Sequence, residues 1–328
     1  MRASMNRPDK ELIDATRPFA VDDRARSWAH VVVSLGLLAA TAYGSVRSPW
    51  LAARVACSIV EGLTLVRIFI LFHDFYHGAI LRGSWPARAV FWTFGNLVLT
   101  PPRVWRETHN YHHANNGKIV GSQVGSYPVV TAGMWARMSP LHRLGYRAAR
   151  HPATIALGTL TVFGWGMCVS PFLRDKRKNA TALLPFVVQV ALLLLVVREL
   201  GWVAYLLAVV VPLAVATASG AYLFYAQHNF PGVYLQPRDE WNYVRAALES
   251  SSYMPMNPVM EFFTGNIGFH HVHHLNSSIP FYRLPEAMAA IPELQSPGVT
   301  TLAPVDILAC FRLDIWDAEA GRMVPRPR

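Results

Sequence analysis

The sequence predicts an all-α integral membrane protein with four transmembrane helices. Two observations carry that prediction: a composition poor in charge and four long apolar runs. Of 328 residues, 52% are hydrophobic and only 15% are charged, against about 25% charged in an average soluble chain. A disordered chain needs the reverse balance, low hydrophobicity with high charge. The runs lie at residues 27–46, 51–72, 180–197 and 201–226. At about 1.5 Å per helical residue, each is long enough to cross a hydrocarbon core of about 30 Å.

The elements follow in chain order. Residues 1–26 carry six basic residues among several acidic ones and no apolar core. They read as a cytoplasmic leader rather than a secretory signal. The first two spans are separated by a tight turn around Arg47, and the last two by another around Arg198. The segment 87–101 is too short to cross and ends in Pro-Pro, which cannot continue a helix. The segment 153–173 is long enough but rich in Gly and Thr. Both are read as interfacial or re-entrant helices, for a reason the histidines supply. Within the spans, Glu61, Arg67 and Gln189 are costly polar groups that need partners. Glu61 and Gln189 are expected to bond across the second and third helices.

The net charge of +10 fits either nucleic acid or a membrane surface. Its distribution decides for the membrane. Six Lys and Arg precede the first span, nine lie at 82–150, four at 174–178 and seven after the fourth span, while the two tight turns hold few. Cytoplasmic loops are the basic ones. Both termini and the long middle loop are therefore expected in the cytoplasm, and no nucleic acid partner is expected. The three cysteines, Cys57, Cys168 and Cys310, are far apart and form no CxxC. A disulfide framework, a zinc ribbon and a Cys-ligated iron–sulfur cluster are excluded.

Histidine is the unexplained excess, with 13 residues. His73 and His77 form HDFYH; His109, His112 and His113 form HNYHH; His228 lies in QHNF; His270, His273 and His274 lie in HHVHH. On a helix, positions i, i+3 and i+4 share a face, so each HxxHH presents three imidazoles together. A lone histidine is usually a satisfied core residue, and His30, His142, His151 and His271 are read that way. At this composition one HxxHH is expected by chance only about 0.02 times, and the chain has two. Every cluster follows an even number of crossings. All nine histidines share the cytoplasmic side provided the two ambiguous segments do not cross. Neutral imidazole binds iron, zinc and copper. Nine ligands exceed the four or six that one ion accepts, so two metals are implied. Asp74, Glu107 and Glu261 lie near the clusters, either to orient imidazole N–H groups or as solvated surface charges.

The segments HDFYHG (73–78), WRETHNYHHANNG (105–117), FYAQHNF (224–230) and GNIGFHHVHHLNSSIPFYRL (265–284) resemble the integral-membrane fatty acid desaturases, a histidine-box di-iron superfamily. The likeness covers about residues 27–295 and leaves 296–328 as a cytoplasmic tail. The last segment looks like the third box of the acyl-lipid Δ12, or omega-6, type. The resemblance implies a cytoplasmic helical cap carrying a di-metal site above four membrane helices. It implies two irons held by His73, His77, His109, His112, His113, His228, His270, His273 and His274. It also implies O₂-dependent removal of two hydrogens from adjacent methylenes of a lipid-, CoA- or carrier-bound acyl chain, in the bacterial inner membrane.

The first box has three intervening residues, as in acyl-lipid types, and no HPGG haem motif is present. One departure stands out. Some acyl-CoA desaturases place an asparagine one turn before the isolated histidine, bridging to iron through water. Here that position is Phe224, with Asn266 and Gln227 as candidate substitutes. Phe72, Phe75, Tyr76, Phe94, Trp105 and Phe269 flank the boxes as candidate walls of an acyl tunnel. No nucleotide fingerprint or cluster cysteine is present, so electrons are expected from an external, ferredoxin-like donor docking on the basic face. A hydroxylase, ketolase or decarboxylase of the same superfamily would share these ligands. A metal transporter would place ligands near the bilayer midplane and often carry inverted repeats, and neither is seen.

Overall fold

A computed structural model describes residues 7–122 and 124–327. The first six residues of the expected leader and the last residue of the expected tail lie outside the described residues. The chain divides into two compact units. One comprises Asp23–Arg106 and Ile155–Tyr222; the other comprises Met1–Asp22, Glu107–Thr154 and Leu223–Arg328.

The first unit is apolar and helical. Four helices among the described residues are long and apolar enough to cross a membrane: Arg24–Arg47, Leu51–His77, Ala180–Leu200 and Trp202–His228. Their positions match the four expected spans. The first starts where Asp23 accepts a hydrogen bond from the Arg26 backbone N–H at 3.0 Å, a side-chain cap for an otherwise unsatisfied donor. The second ends at Gly78, whose left-handed φ of 76° stops the helix directly after His77. Only 11% of the most apolar window of Ala180–Leu200 is buried. Its Val187, Val190, Leu194 and Leu195 face outward, as side chains in contact with lipid would. Trp50 and Trp202, beside the two tight turns, are exposed, the amphipathic residue type that gathers at membrane–water interfaces.

Close packing inside this unit uses small residues. A Cβ on Gly44 would lie 2.6 Å from Cys57 Sγ, and one on Gly62 2.6 Å from Val215 Cβ. Without a hydrophobic drive between helices in lipid, such approaches and polar bonds hold them together. Ser45 donates to Glu61 at 3.3 Å. Arg67 donates to Ser34 at 3.0 Å and lies 3.0 Å from His30 Nδ1. Gln189 donates to the Leu97 carbonyl at 2.6 Å. The expected Glu61–Gln189 pairing is thus replaced by two separate bonds. Each group finds a nearer partner, on the first span for Glu61 and on the short helix Trp85–Leu97 for Gln189.

That short helix has 13 residues. The 153–173 segment is divided into Pro152–Ala156, a π-helical stretch Thr159–Val169 and Ser170–Arg174. Neither forms a fifth long regular helix.

The second unit holds short helices and two small sheets. Ser252–Tyr253 pairs in parallel with Gly298–Val299, and Ile315–Asp317 pairs antiparallel with Arg322–Val324. The helix Pro304–Arg312 lies between the two C-terminal strand segments. Residues 298–327 therefore fold as part of this unit. Trp316, 3% exposed, donates its backbone N–H to the Val130 carbonyl, and Ile315 packs with Val130, Trp135 and Tyr146.

Candidate metal centre

Seven of the nine box histidines belong to the second unit. Box two rides on the helix Pro102–Asn115 and box three on the helix His270–Leu275. His228 ends its long helix. The spacing that puts three imidazoles on one face also sorts them. Residues four apart differ by only about 40° around the axis, and the residue at i+3 is rotated by about 60° from the first and about 100° from the last.

The outcome is a reciprocal exchange between the two helices. His270 and His274 of box three meet His112 of box two and His228, with all four ligand atoms within 4.8 Å of one another. The contacts run from His112 Nε2 to His228 Nε2 at 3.1 Å, from His228 Nε2 to His270 Nε2 at 2.8 Å, and from His270 Nε2 to His274 Nε2 at 3.1 Å. His109 and His113 of box two meet His273 of box three, with Nε2–Nε2 distances of 3.1 Å from His113 to each. Each helix gives its i, i+4 pair to one group and its middle histidine to the other.

These distances fit metal ligation. Nitrogens held about 2.1 Å from an ion and at right angles to each other are about 3.0 Å apart, whereas tetrahedral ligands are about 3.4 Å apart. The observed spacings match adjacent positions of a five- or six-coordinate ion.

Electrostatics points the same way. Burial holds the His274 imidazole well below its ordinary range, and the neighbouring His113, His270, His228 and His112 push it lower still. A neutral ring keeps a lone pair for a metal. The His228 tautomer is fixed from behind. Its Nδ1 lies 3.0 Å from the Ser250 carbonyl, which can only accept, so Nδ1 carries the proton and Nε2 presents its lone pair to the group.

In the first unit, His73 and His77 stand one turn apart with ring centroids 4.6 Å apart. His73 Nδ1 faces Asp74 Oδ1 at 2.9 Å; a carboxylate oxygen accepts, so Nδ1 donates and Nε2 is the nitrogen left to face a metal.

The other expected partners sort as follows. Gln227 is buried and donates to the Ile267 carbonyl at 2.8 Å, tying the His228 helix to the turn that launches box three. Asn266 takes a left-handed φ of 53° in that turn and donates to the Phe281 carbonyl at 3.2 Å. Glu107 is exposed, and Glu261 lies in the first turn of the helix Pro258–Thr264. Phe224 stacks edge-on against both His112, at 4.9 Å, and His228, at 5.3 Å. An apolar ring thus covers this group where an asparagine was the alternative.

Phe72, Phe75, Tyr76, Phe94 and Trp105 form one aromatic cluster in the first unit, with Phe72 to Tyr76 at 4.7 Å and Phe72 to Trp105 at 5.0 Å. Trp105 sits 5.6 Å from the His73 ring. Phe269 lies in the second unit, against Tyr253.

The four histidines read as ordinary have structural partners: Arg67 for His30, Ser139 for His142, the Ala153 backbone N–H for His151, and the Leu294 carbonyl at 3.0 Å for His271.

Three contributors escaped the sequence reading. Ser250 acts through its carbonyl on His228. Tyr243 donates to the His274 carbonyl at 2.6 Å and braces box three. Gly117 turns the chain after box two with φ 73°, where a Cβ would lie 2.2 Å from Ser250 Oγ. Only Gly117 carried a signal, being the glycine that ends the box-two segment.

A family model for fatty acid desaturases matches residues 48–302. The chain belongs to the fatty acid desaturase family. It is therefore an oxidoreductase of lipid metabolism. A fatty acid desaturase of Bacillus subtilis strain 168 is 29% identical to it over 275 residues, 82% of this chain and 76% of its own. An sn-1 oleoyl-lipid 12-desaturase of Synechocystis is 25% identical over 280 residues, 83% of this chain and 78% of its own. An sn-1 acyl-lipid omega-3 desaturase (ferredoxin) from the same organism is 25% identical over 240 residues, 71% of this chain and 66% of its own. The two histidine groups fit the two irons that this family is known to use.

Proposed function

We propose that this desaturase introduces a cis double bond of the Δ12, or omega-6, kind into a membrane acyl lipid, using O₂ and external electrons. The observation that carries the reading is the reciprocal exchange of His112 and His273 between the two box helices. It builds two adjacent imidazole groups from motifs far apart in the chain. His112, His228, His270 and His274 hold one iron. His109, His113 and His273 hold the other, completed by His73 and His77. The HxxxH pair supplies two same-face imidazoles, one already fixed by Asp74, to a trio with room for more ligands.

When bound, the irons supply the O₂-derived oxidising power that an unactivated methylene C–H bond demands. The chain's own residues supply ligation, orientation and dryness. Ser250 and Asp74 fix imidazole tautomers. Phe224 keeps water from the edge of His112 and His228. The ring cluster around Phe72 and Trp105 offers an apolar wall beside His73 for the acyl chain.

The 12-desaturase name of the Synechocystis relative and the third-box sequence support the bond position. Charge asymmetry supports a site and both termini on the cytoplasmic side of the membrane, read as a bacterial inner membrane. Ferredoxin in the name of the omega-3 relative supports a small acidic iron–sulfur donor, drawn to the basic face.

Expression in a host that lacks polyunsaturated lipids, followed by double-bond mapping, tests the reading. A new cis bond at carbon 12 of an 18-carbon lipid chain is the expected product. A hydroxylated chain or a terminal alkene without a new internal double bond would overturn it in favour of the sibling chemistries.

A further inference from the structure

A small cleft, with about 30 Å³ open to the centre of a water-sized sphere, lies within the second unit. His112 and His228 form part of its wall, so it borders one metal group. Opposite chemistry comes from Arg150, Asn229, Tyr127, Ser122 and Ser126.

Arg150 is 3% exposed. Its Nη atoms donate to the Pro128 carbonyl at 2.8 Å, the Asn229 side-chain oxygen at 2.7 Å, the Leu313 carbonyl at 2.8 Å and the Tyr225 hydroxyl at 3.4 Å. All four acceptors are neutral. Asp314, the acid next to Leu313, pairs instead with Arg326 at 3.1 Å. The Arg150 Nε–H is buried and has no partner. A guanidinium is always charged. Burying one without a paired anion is costly, and an unsatisfied buried donor adds to that cost.

The surroundings are suited to an anion. Burial pushes the Tyr127 phenol up from its ordinary range, so it stays protonated and can donate. Ser122 and Ser126 add hydroxyls that rotate to suit a ligand. No carboxylate lines the cleft.

We infer that this cleft is an oxyanion-binding site, taking a carboxylate or phosphate group on Arg150 beside the His112 and His228 metal group. The guanidinium supplies the charge from the wall of the cleft, while the serine and tyrosine hydroxyls supply the direct contacts. The anion reaches the site as a free ion or as a lipid headgroup, and one experiment separates these.

The iron-loaded protein, reconstituted in nanodiscs of neutral lipid, is titrated calorimetrically with inorganic phosphate and with acetate at constant ionic strength, against chloride. Saturable binding of either oxyanion is expected. In discs that also contain phosphatidylglycerol, weaker apparent affinity identifies a headgroup as the source, and unchanged affinity identifies the free ion. Arg150→Gln should abolish binding. Because Arg150 also ties three segments together, Ser126→Phe is the second variant. It fills the cleft without touching the Arg150 bonds, and should weaken binding at least tenfold at unchanged iron content and unfolding temperature. No saturable binding by wild type, or equal binding by the folded Ser126→Phe variant, would overturn the site.

Discussion

His112 and His228 are 116 residues apart in the chain, yet their Nε2 atoms face each other at 3.1 Å. Neither is in contact with the other through backbone structure. The approach is set by two helices that each carry their own share of the centre. Replacing His112 by Ala removes the one box-two ligand from its group and leaves the box-two i, i+4 pair in the other. Iron content should fall selectively, and turnover should drop by on the order of 100-fold or more, since even outer partners of metal sites cost 10- to 100-fold. Iron analysis beside product formation checks this; normal iron content in a folded His112→Ala protein would remove it from the ligand set.

Asp74 is a subtler test because it touches no metal in this reading. Its carboxylate lies 2.9 Å from His73 Nδ1 and is 2% exposed. Asp74→Asn keeps the shape and an acceptor oxygen but loses the charge that raises imidazole basicity. Iron affinity should weaken by about 10- to 100-fold, with membrane insertion intact. Competition with a chelator measures it. An Asp74→Leu protein that retains iron like the wild type would show the pair to be packing alone.

The four spans were legible because length and apolarity act locally. Residues 51–72 needed no tertiary information, and the structure extends that helix only to the glycine at 78. The histidine clusters were legible for the same reason, since i, i+3, i+4 spacing on one helix is a sequence property. Their division was not legible. Which of His109, His112 and His113 goes to which ion depends on how two helices cross, and no periodicity encodes that. Ser250 and Tyr243 were hidden because they act on or through backbone carbonyls, which every residue has. The folding of residues 298–327 was hidden because strands of two or three residues leave no alternating pattern. Glu61 was correctly read as needing a partner, but Ser45 on the preceding helix is as anonymous in sequence as any serine.

Gln227 links the isolated histidine to box three without belonging to either motif. It is 1% exposed, and its amide satisfies the Ile267 carbonyl. Gln227→Leu would strand that carbonyl in a dry environment, at a cost of about 1–3 kcal/mol. A lowered unfolding temperature with weakened iron retention is the expected pair of effects, and Gln227→Glu, which keeps the length, should restore them only at a pH low enough to protonate its carboxyl, since the carboxylate cannot donate. Unfolding temperatures equal to wild type in the Leu variant would show the bond to be dispensable.

The orientation is open to labelling. In a Cys57→Ala background, single cysteines at Ser48 and Glu199 lie in the two tight turns, and cysteines at Arg137 and Lys176 lie in the basic segments. A membrane-impermeant thiol reagent should label the first two in intact cells and the second two only after permeabilisation. Labelling of Lys176→Cys from outside would mean that the broken helical segment at 152–174 crosses the bilayer, which would place part of the histidine set on the wrong side.

Acid should destabilise the protein through a histidine that is not proposed as a ligand. Burial lowers the His271 imidazole from 6.5 to about 4, against weaker opposing hydrogen bonds to the Leu294 and Ser252 backbone. In the unfolded chain the same ring titrates near its ordinary value. The folded state therefore binds the proton less readily, and below the unfolded value protonation favours unfolding. Its contribution is fully present above about pH 6.5 and is lost as pH falls towards 4, by up to about 3 kcal/mol at 1.36 kcal/mol per unit. Stability measured by denaturant between pH 7.5 and 4.5 should decline in that window. In His271→Gln, which can still donate to the Leu294 carbonyl but does not titrate, the decline should be shallower by the His271 share. Parallel curves for the two proteins would show that His271 is not charged on unfolding, and would reassign acid sensitivity to the metal-bound rings.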